Sequence, residues 1–171
     1  METVTGKIIS INISEKKRTV KKPVSVATVI RNFGVVGDAH SGSSRQVSFL
    51  GWEAVEKFRI KNSRLTGLGG QAEIRIKIEP GDFAENITTD GIDWDKAKVG
   101  DNIIVGETVK LKITQIGKEC NVGCAIRKAV GDCIMPKQGI FAKVLVGGDI
   151  KIGDSVVIAR KSRCGGTTKQ S

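Results

Sequence analysis

Val109-Lys-Leu-Lys-Ile-Thr-Gln-Ile116 alternates apolar and polar side chains. Period two is the pattern of a strand with one face buried. Gly117-Lys-Glu-Cys120 follows, then Asn121-Val-Gly-Cys-Ala-Ile-Arg-Lys-Ala-Val130 and Gly131. Asn121 is a good N-cap and Gly131 a good stop, so a short helix is expected between them. Cys120 would then lie just outside the helix N-terminus, beside Lys118. Both neighbours favour a thiolate over a thiol. A thiolate there can act as nucleophile, sulfur carrier or soft-metal ligand.

The flanking sequence is of the same kind. Thr3–Ile13 reads as a first strand carried by Val4, Ile8, Ile9, Ile11 and Ile13. Val24–Ile30 and Gln46–Leu50 are short apolar pieces, and Gly139–Val146 is another strand. Ile74, Ile76 and Ile78 alternate with Arg75 and Lys77, the clearest strand signal in the chain. Trp52, Val55, Phe58 and Ile60 fit a short amphipathic helix. Met135-Pro136 and Gly139 are expected to end the helical region. Lys98-Val-Gly-Asp-Asn-Ile-Ile-Val105 and Lys151-Ile-Gly-Asp-Ser-Val-Val-Ile158 resemble one another, each a Gly-Asp turn launching a strand. We read this as reuse of a good turn. Many short strands with one or two helices predict a mainly β fold, a barrel or a curled sheet.

The 171 residues are enough for one domain with a sizeable core. Residues 1–159 are expected to form it, with 160–171 a flexible polar tail. Five Phe, two Trp and no Tyr leave the core to Val, Ile and Leu. No run is long and apolar enough to span a membrane, and the N-terminus does not read as a signal peptide. A cytoplasmic location is the default expectation, with the four cysteines as thiols or ligands. The net charge of +10 suits an anionic partner without specifying it. Lys16, Lys17, Arg18, Lys21 and Lys22 read as a basic loop between strands. No aromatic residue interleaves them, which disfavours single-stranded nucleic acid.

Cys120, Cys124 and Cys133 lie close in sequence, but the first pair is not a Cys-x-x-Cys motif and no fourth ligand completes a zinc site. His40, the only histidine, cannot belong to a multi-histidine metal site; a capping or hydrogen-bonding role suits it. Arg45 could clamp a phosphate bidentately or pair with Asp38. Asn86, Thr88 and Thr89 fall in the stretch Glu79–Gly91, read as a loop able to bind a polar ligand or to close on itself. No Walker loop is present, and Gly67-Leu-Gly-Gly70 follows no convincing strand.

Seven segments in order carry a resemblance: Gly34-Val-Val-Gly-Asp-Ala-His-Ser-Gly42, Arg45-Gln-Val47, Pro80-Gly-Asp-Phe-Ala-Glu-Asn-Ile87, Val99-Gly-Asp101, Ile116-Gly-Lys-Glu-Cys120, Gly139-Ile-Phe-Ala-Lys-Val-Leu145 and Gly147-Gly-Asp-Ile-Lys-Ile-Gly-Asp154. Together the chain resembles the MOSC domain, named after the C-terminal domain of molybdenum cofactor sulfurases, in its small stand-alone bacterial form. The resemblance runs from about Val4 to Ile158. It implies a MOSC-type β-barrel with a few short helices, and the handling of a molybdenum–pterin cofactor or of sulfur destined for it. The family's characteristic cysteine maps onto Cys120, as metal ligand or persulfide carrier. Arg45, His40, Asn86 and Lys118 are the pocket candidates. The pyridoxal-phosphate domain of the sulfurases is absent from this chain. Implied partners are cofactor-biosynthesis enzymes or molybdoenzymes, with an electron-transfer partner if the activity is reduction of N-hydroxylated compounds. The alternative is a non-enzymatic basic barrel that binds a partner protein or nucleic acid.

Overall fold

Val109–Ile116 forms a strand with Val109, Leu111 and Ile113 buried and its lysines exposed. The computed structural model describes residues 3–17, 19–63, 77–119, 127–128 and 132–160. In chain order the elements are β1 (Thr3–Ile13), β2 (Lys22–Val24), β3 (Val26–Ile30), β4 (Gly34–Val35), β5 (Val47–Gly51) and α1 (Trp52–Ser63). Then come β6 (Ile87–Asp90), a 3-10 turn (Trp94–Lys96), β7 (Asn102–Val105), β8 (Val109–Ile116), α2 (Met135–Gln138), β9 (Ile140–Val146), β10 (Gly148–Lys151) and β11 (Ser155–Ala159).

β11, β7, β8, β9, β5, β6 and β1 pair in that order, and β1 returns to β11 to close a barrel. β1 closes it with Thr3–Lys7 on β11, while its far end, Ile11–Ile13, carries β2. A second sheet, β10-β3-β4, is separate. Among the described residues every pairing is antiparallel except β5 with β6, where Phe49 faces Ile87. A parallel pair needs a long crossover. Here it begins with α1, which packs on the outer side of β5.

Strand alternation sorts the side chains into two cores. Val47 and Phe49 of β5 join Leu111, Ile113, Ala142, Val144, Val156 and Ile158 inside the barrel. Leu50 and Phe141 instead join Val55, Phe58, Phe83 and Met135 in a smaller cluster with α1 and α2.

The Gly-Asp turn is used three times with one chemistry. Lys98 N–H donates to Asp101 Oδ2 at 2.9 Å, Lys151 N–H to Asp154 Oδ2 at 2.9 Å, and Glu79 N–H to Asp82 Oδ2 at 2.8 Å. Each turn places its glycine at positive φ, +96°, +93° and +94° for Gly100, Gly153 and Gly81. The aspartate closes the turn and the glycine supplies the left-handed residue.

Several expectations are corrected. Val24–Ile30 is two strands broken at Ser25. Met135-Pro136 does not end a helix but opens its own, with proline in the first turn, where its missing N–H costs nothing. Thr88 and Thr89 are on β6, not in a loop, and are buried. Residues 77–79 carry no strand, and the alternation at 74–76 lies outside the described residues. So do residues 161–171 of the expected tail, and all but 127–128 of the expected helix over 121–130.

Candidate functional site

Lys21 departs most from the sequence expectation. It belongs to the basic run, yet its side chain is 1% exposed and its ammonium forms an ion pair with Asp38 Oδ2, itself fully buried. Asp38 also accepts from Ser14 N–H at 3.1 Å and His40 N–H at 3.0 Å. Burial opposes ionisation of Asp38, but the hydrogen bonds from His40 and Lys21 outweigh it and hold the carboxyl well below the usual range. Burial lowers the Lys21 pKa; Asp38 opposes that shift, and the like charge of Lys118 adds to it. His40 Nδ1 sits 3.3 Å from Lys21 Nζ and 3.4 Å from Asp38 Oδ1. Nδ1 thus faces both an ammonium that can only donate and a carboxylate that can only accept, and the ring tautomer sets which of the two it bonds. The imidazole is about a third exposed, at 32%.

Behind this triad is a buried polar network on β1, β5 and β6. Asn86 Oδ1 accepts from Ser48 N–H and Oγ, both at 3.1 Å, and its Nδ2 donates to Asn12 O at 3.2 Å. Its side chain is therefore committed to joining strands. Glu85 Oε1 accepts from Gly81 N–H at 2.7 Å and Thr88 Oγ1 at 2.9 Å. Its Oε2 is buried with no partner among the described residues. Burial pushes this carboxyl up.

On the outer face of β8 and β9, two cations share one ring. Arg45 Cζ lies 5.5 Å and Lys118 Nζ 5.9 Å from the Phe141 centroid. Arg45 Nε donates to Gln115 Oε1 at 3.2 Å, and Gln115 Nε2 donates to Gly117 O at 2.8 Å. Arg45 thus pairs with Gln115 rather than with Asp38. Gly117 has φ +70°, and a Cβ there would lie 2.2 Å from Pro136 O. Only glycine fits, so α2 fixes where the chain leaves β8 toward Lys118 and Cys120.

The structure therefore brings Arg45 and Lys118 together over Phe141, with Lys118 near enough to Lys21 to act on its charge, and His40 against Lys21. Asn86 stands apart, in the supporting network. Cys120 and Cys124 lie outside the described residues; Cys133 is half-buried before α2. Among the described residues no group of three His, Cys, Asp or Glu could hold a metal. Sequence reasoning missed Lys21, Gln115 and Glu85. The run of five cations gave no sign that one member turns inward.

A cleft of about 670 Å³ lies between α1, the 3-10 turn and α2, lined in part by Phe58, Trp94, Cys133 and Lys137. Volume and chemistry part company here. None of Arg45, His40, Asn86 or Lys118 lines the cleft, whose basic and acidic side chains are mixed. The convergent cations around Phe141 and Lys21 are the stronger candidate for an anionic ligand.

Comparison with known proteins agrees with this frame. Residues 36–157 match the family model described as MOSC domain. The YuaD protein from Bacillus subtilis shares the fold, with a TM-score of 0.70 at 19% identity, over 94% of this chain and 99% of that one. YiiM from Geobacillus stearothermophilus gives 0.66 at 19% identity, covering 93% of this chain and 77% of its own. YiiM from Escherichia coli gives 0.60 at 17%, covering 95% and 71%. No curated protein sequence matches the chain.

Proposed function

The chain belongs to the MOSC domain family, and from that premise we propose that it binds the molybdenum–pterin cofactor, or a precursor, for its biosynthesis or delivery. The observation that carries this reading is the convergence of Arg45, Lys118 and the Lys21–His40 pair at the end of β8, two residues before Cys120. A phosphorylated dithiolene is anionic, and guanidinium, ammonium and imidazole donors suit it. Arg45 and Lys118 would hold its anionic groups, with the His40 imidazole as a further donor. Cys120 would contribute the soft thiolate, as metal ligand or persulfide carrier. When bound, the cofactor supplies a redox-active metal centre. Lys21 would not leave Asp38 for a ligand; their charges offset one another, and the pair holds His40 in place from beneath. The thiols suit a reducing cytoplasm. The partners would be enzymes that make the cofactor or receive it.

The test is metal and pterin analysis of protein purified from a molybdate-fed host. Stoichiometric molybdenum and pterin are expected, falling sharply in Cys120→Ser and Arg45→Ala. Absence of both, together with no binding of added cofactor, removes the reading. Persulfide detection at Cys120 separates carrier from ligand.

A further inference from the structure

The outer wall of β1, β11, β7, β8 and β9 is crossed by two rows of registered residues. One runs Thr5, Val157, Ile104, Lys110. The other runs Thr3, Ala159, Asn102, Lys112, Lys143. Neither contains an acid. Lys112 and Lys143 are directly opposite, an arrangement that costs stability. None of Lys110, Lys112 and Lys143 pairs with an acid among the described residues. The same β8–β9 face continues to Phe141 with Arg45 and Lys118, so the basic strip ends at the candidate site.

We propose that this wall is the docking surface for an acidic protein, whose edge is thereby brought against the candidate site. Charge complementarity names the partner's chemistry. Half-buried Ile104 and Val157 supply an apolar centre beside the lysines, as protein interfaces have. The strip is lysine rather than arginine and carries no aromatic platform, which favours a protein over nucleic acid. The inference deepens the cofactor reading by naming how a donor or recipient protein engages the site.

Carbodiimide coupling in host extract, with the cross-linked lysines mapped and the coupled protein identified and purified, tests it. Links to an acidic protein should concentrate on Lys110, Lys112 and Lys143. Affinity for the purified partner should fall at least tenfold in Lys110→Glu/Lys112→Glu/Lys143→Glu and weaken steeply with salt. Lys16→Glu/Lys17→Glu/Lys22→Glu, with the same charge change, should lose less than threefold. Links scattered over all exposed lysines, or equal losses in both variants, overturn the proposal. So does a duplex DNA shift abolished by the wall variant where no acidic protein couples. Lys143→Glu alone checks folding: it should raise Tm by pairing with Lys112 while weakening docking. Molybdenum and pterin content is read on the same preparations. Mapped coupling without cofactor sinks the cofactor reading alone; cofactor without mapped coupling sinks only the docking surface.

Discussion

Lys21 and Asp38, 17 residues apart, meet as a buried ion pair beneath the partly exposed His40. The pair anchors the loop between β1 and β2 to the turn after β4. Removing one partner leaves an uncompensated buried charge, which costs roughly 3–5 kcal/mol. Lys21→Met and Asp38→Asn should each lower the urea midpoint strongly. The double variant should recover much of the loss, because no charge is then stranded. The pH dependence has a definite sign. The folded-state pKa of Asp38 is depressed, so its stabilisation is present above the ordinary carboxylate range and is lost as pH falls through the folded value. Asp38→Asn should flatten the acid limb of a Tm–pH profile.

Glu85 has the opposite sign. Its folded-state pKa is raised by burial, so the folded protein holds a proton that the unfolded chain releases. Stability therefore falls as pH rises from the ordinary carboxylate range toward the folded value. Glu85→Gln keeps an acceptor for Gly81 and Thr88 and removes the ionisation. Its Tm should match the wild type at acid pH and exceed it increasingly as pH rises from the ordinary carboxylate range to the folded-state value.

Asn86 and Arg45 share the sequence-based expectation of a pocket role but should behave differently. Asn86→Ala strands the Ser48 N–H and should cost about 1–3 kcal/mol by urea unfolding, while cofactor content per folded molecule is preserved. Arg45→Ala gives up a half-buried hydrogen bond to Gln115 and should cost no more than about 1 kcal/mol. Its cofactor content should fall.

Gly117→Ala combines positive φ with a clash against Pro136 O. A cost of about 2 kcal/mol or more is expected from denaturant unfolding, since backbone rather than a flexible side chain must move. Gly100, also at positive φ but with no atom within 4 Å of its Cβ position, is the control; alanine there should cost less.

Lys143→Glu should stabilise the protein by a few tenths of a kcal/mol, and by at most about 1 kcal/mol, because it turns a like-charge cross-strand pair into an opposite one. The gain should shrink with salt, as the pair is exposed. Thermal melts at low and high ionic strength check both statements.

Much of the barrel was legible because its strands obey local rules. Thr3–Ile13 and Val109–Ile116 alternate or cluster apolar residues, and the Gly-Asp turns mark where strands begin. The break at Ser25 was not legible, since an unbroken apolar run carries no register. β6 was hidden because Thr88 and Thr89 are polar yet buried, their hydroxyls satisfied by Glu85, Asn12 and Trp94. The same limit applied to the site. Arg45, His40 and Lys118 stood out as polar residues in motifs, whereas the burial of Lys21 depends on Asp38, a contact made only in the folded chain. Gln115 shares the inward parity of Val109, Leu111 and Ile113, and nothing in the sequence marks the shifted register between Ile113 and Gln115 that accompanies its bond to Arg45.

The closure of β1 on β11 joins Thr3 to Ala159, almost the full span of the described chain. During synthesis β1 emerges first and its barrel partner only after some 150 further residues, a delay on the order of ten seconds. For that interval the edge formed by Thr3–Lys7 has no barrel neighbour, so the ring cannot close as the chain grows. The barrel can therefore close only after the ribosome has released the strand that completes it.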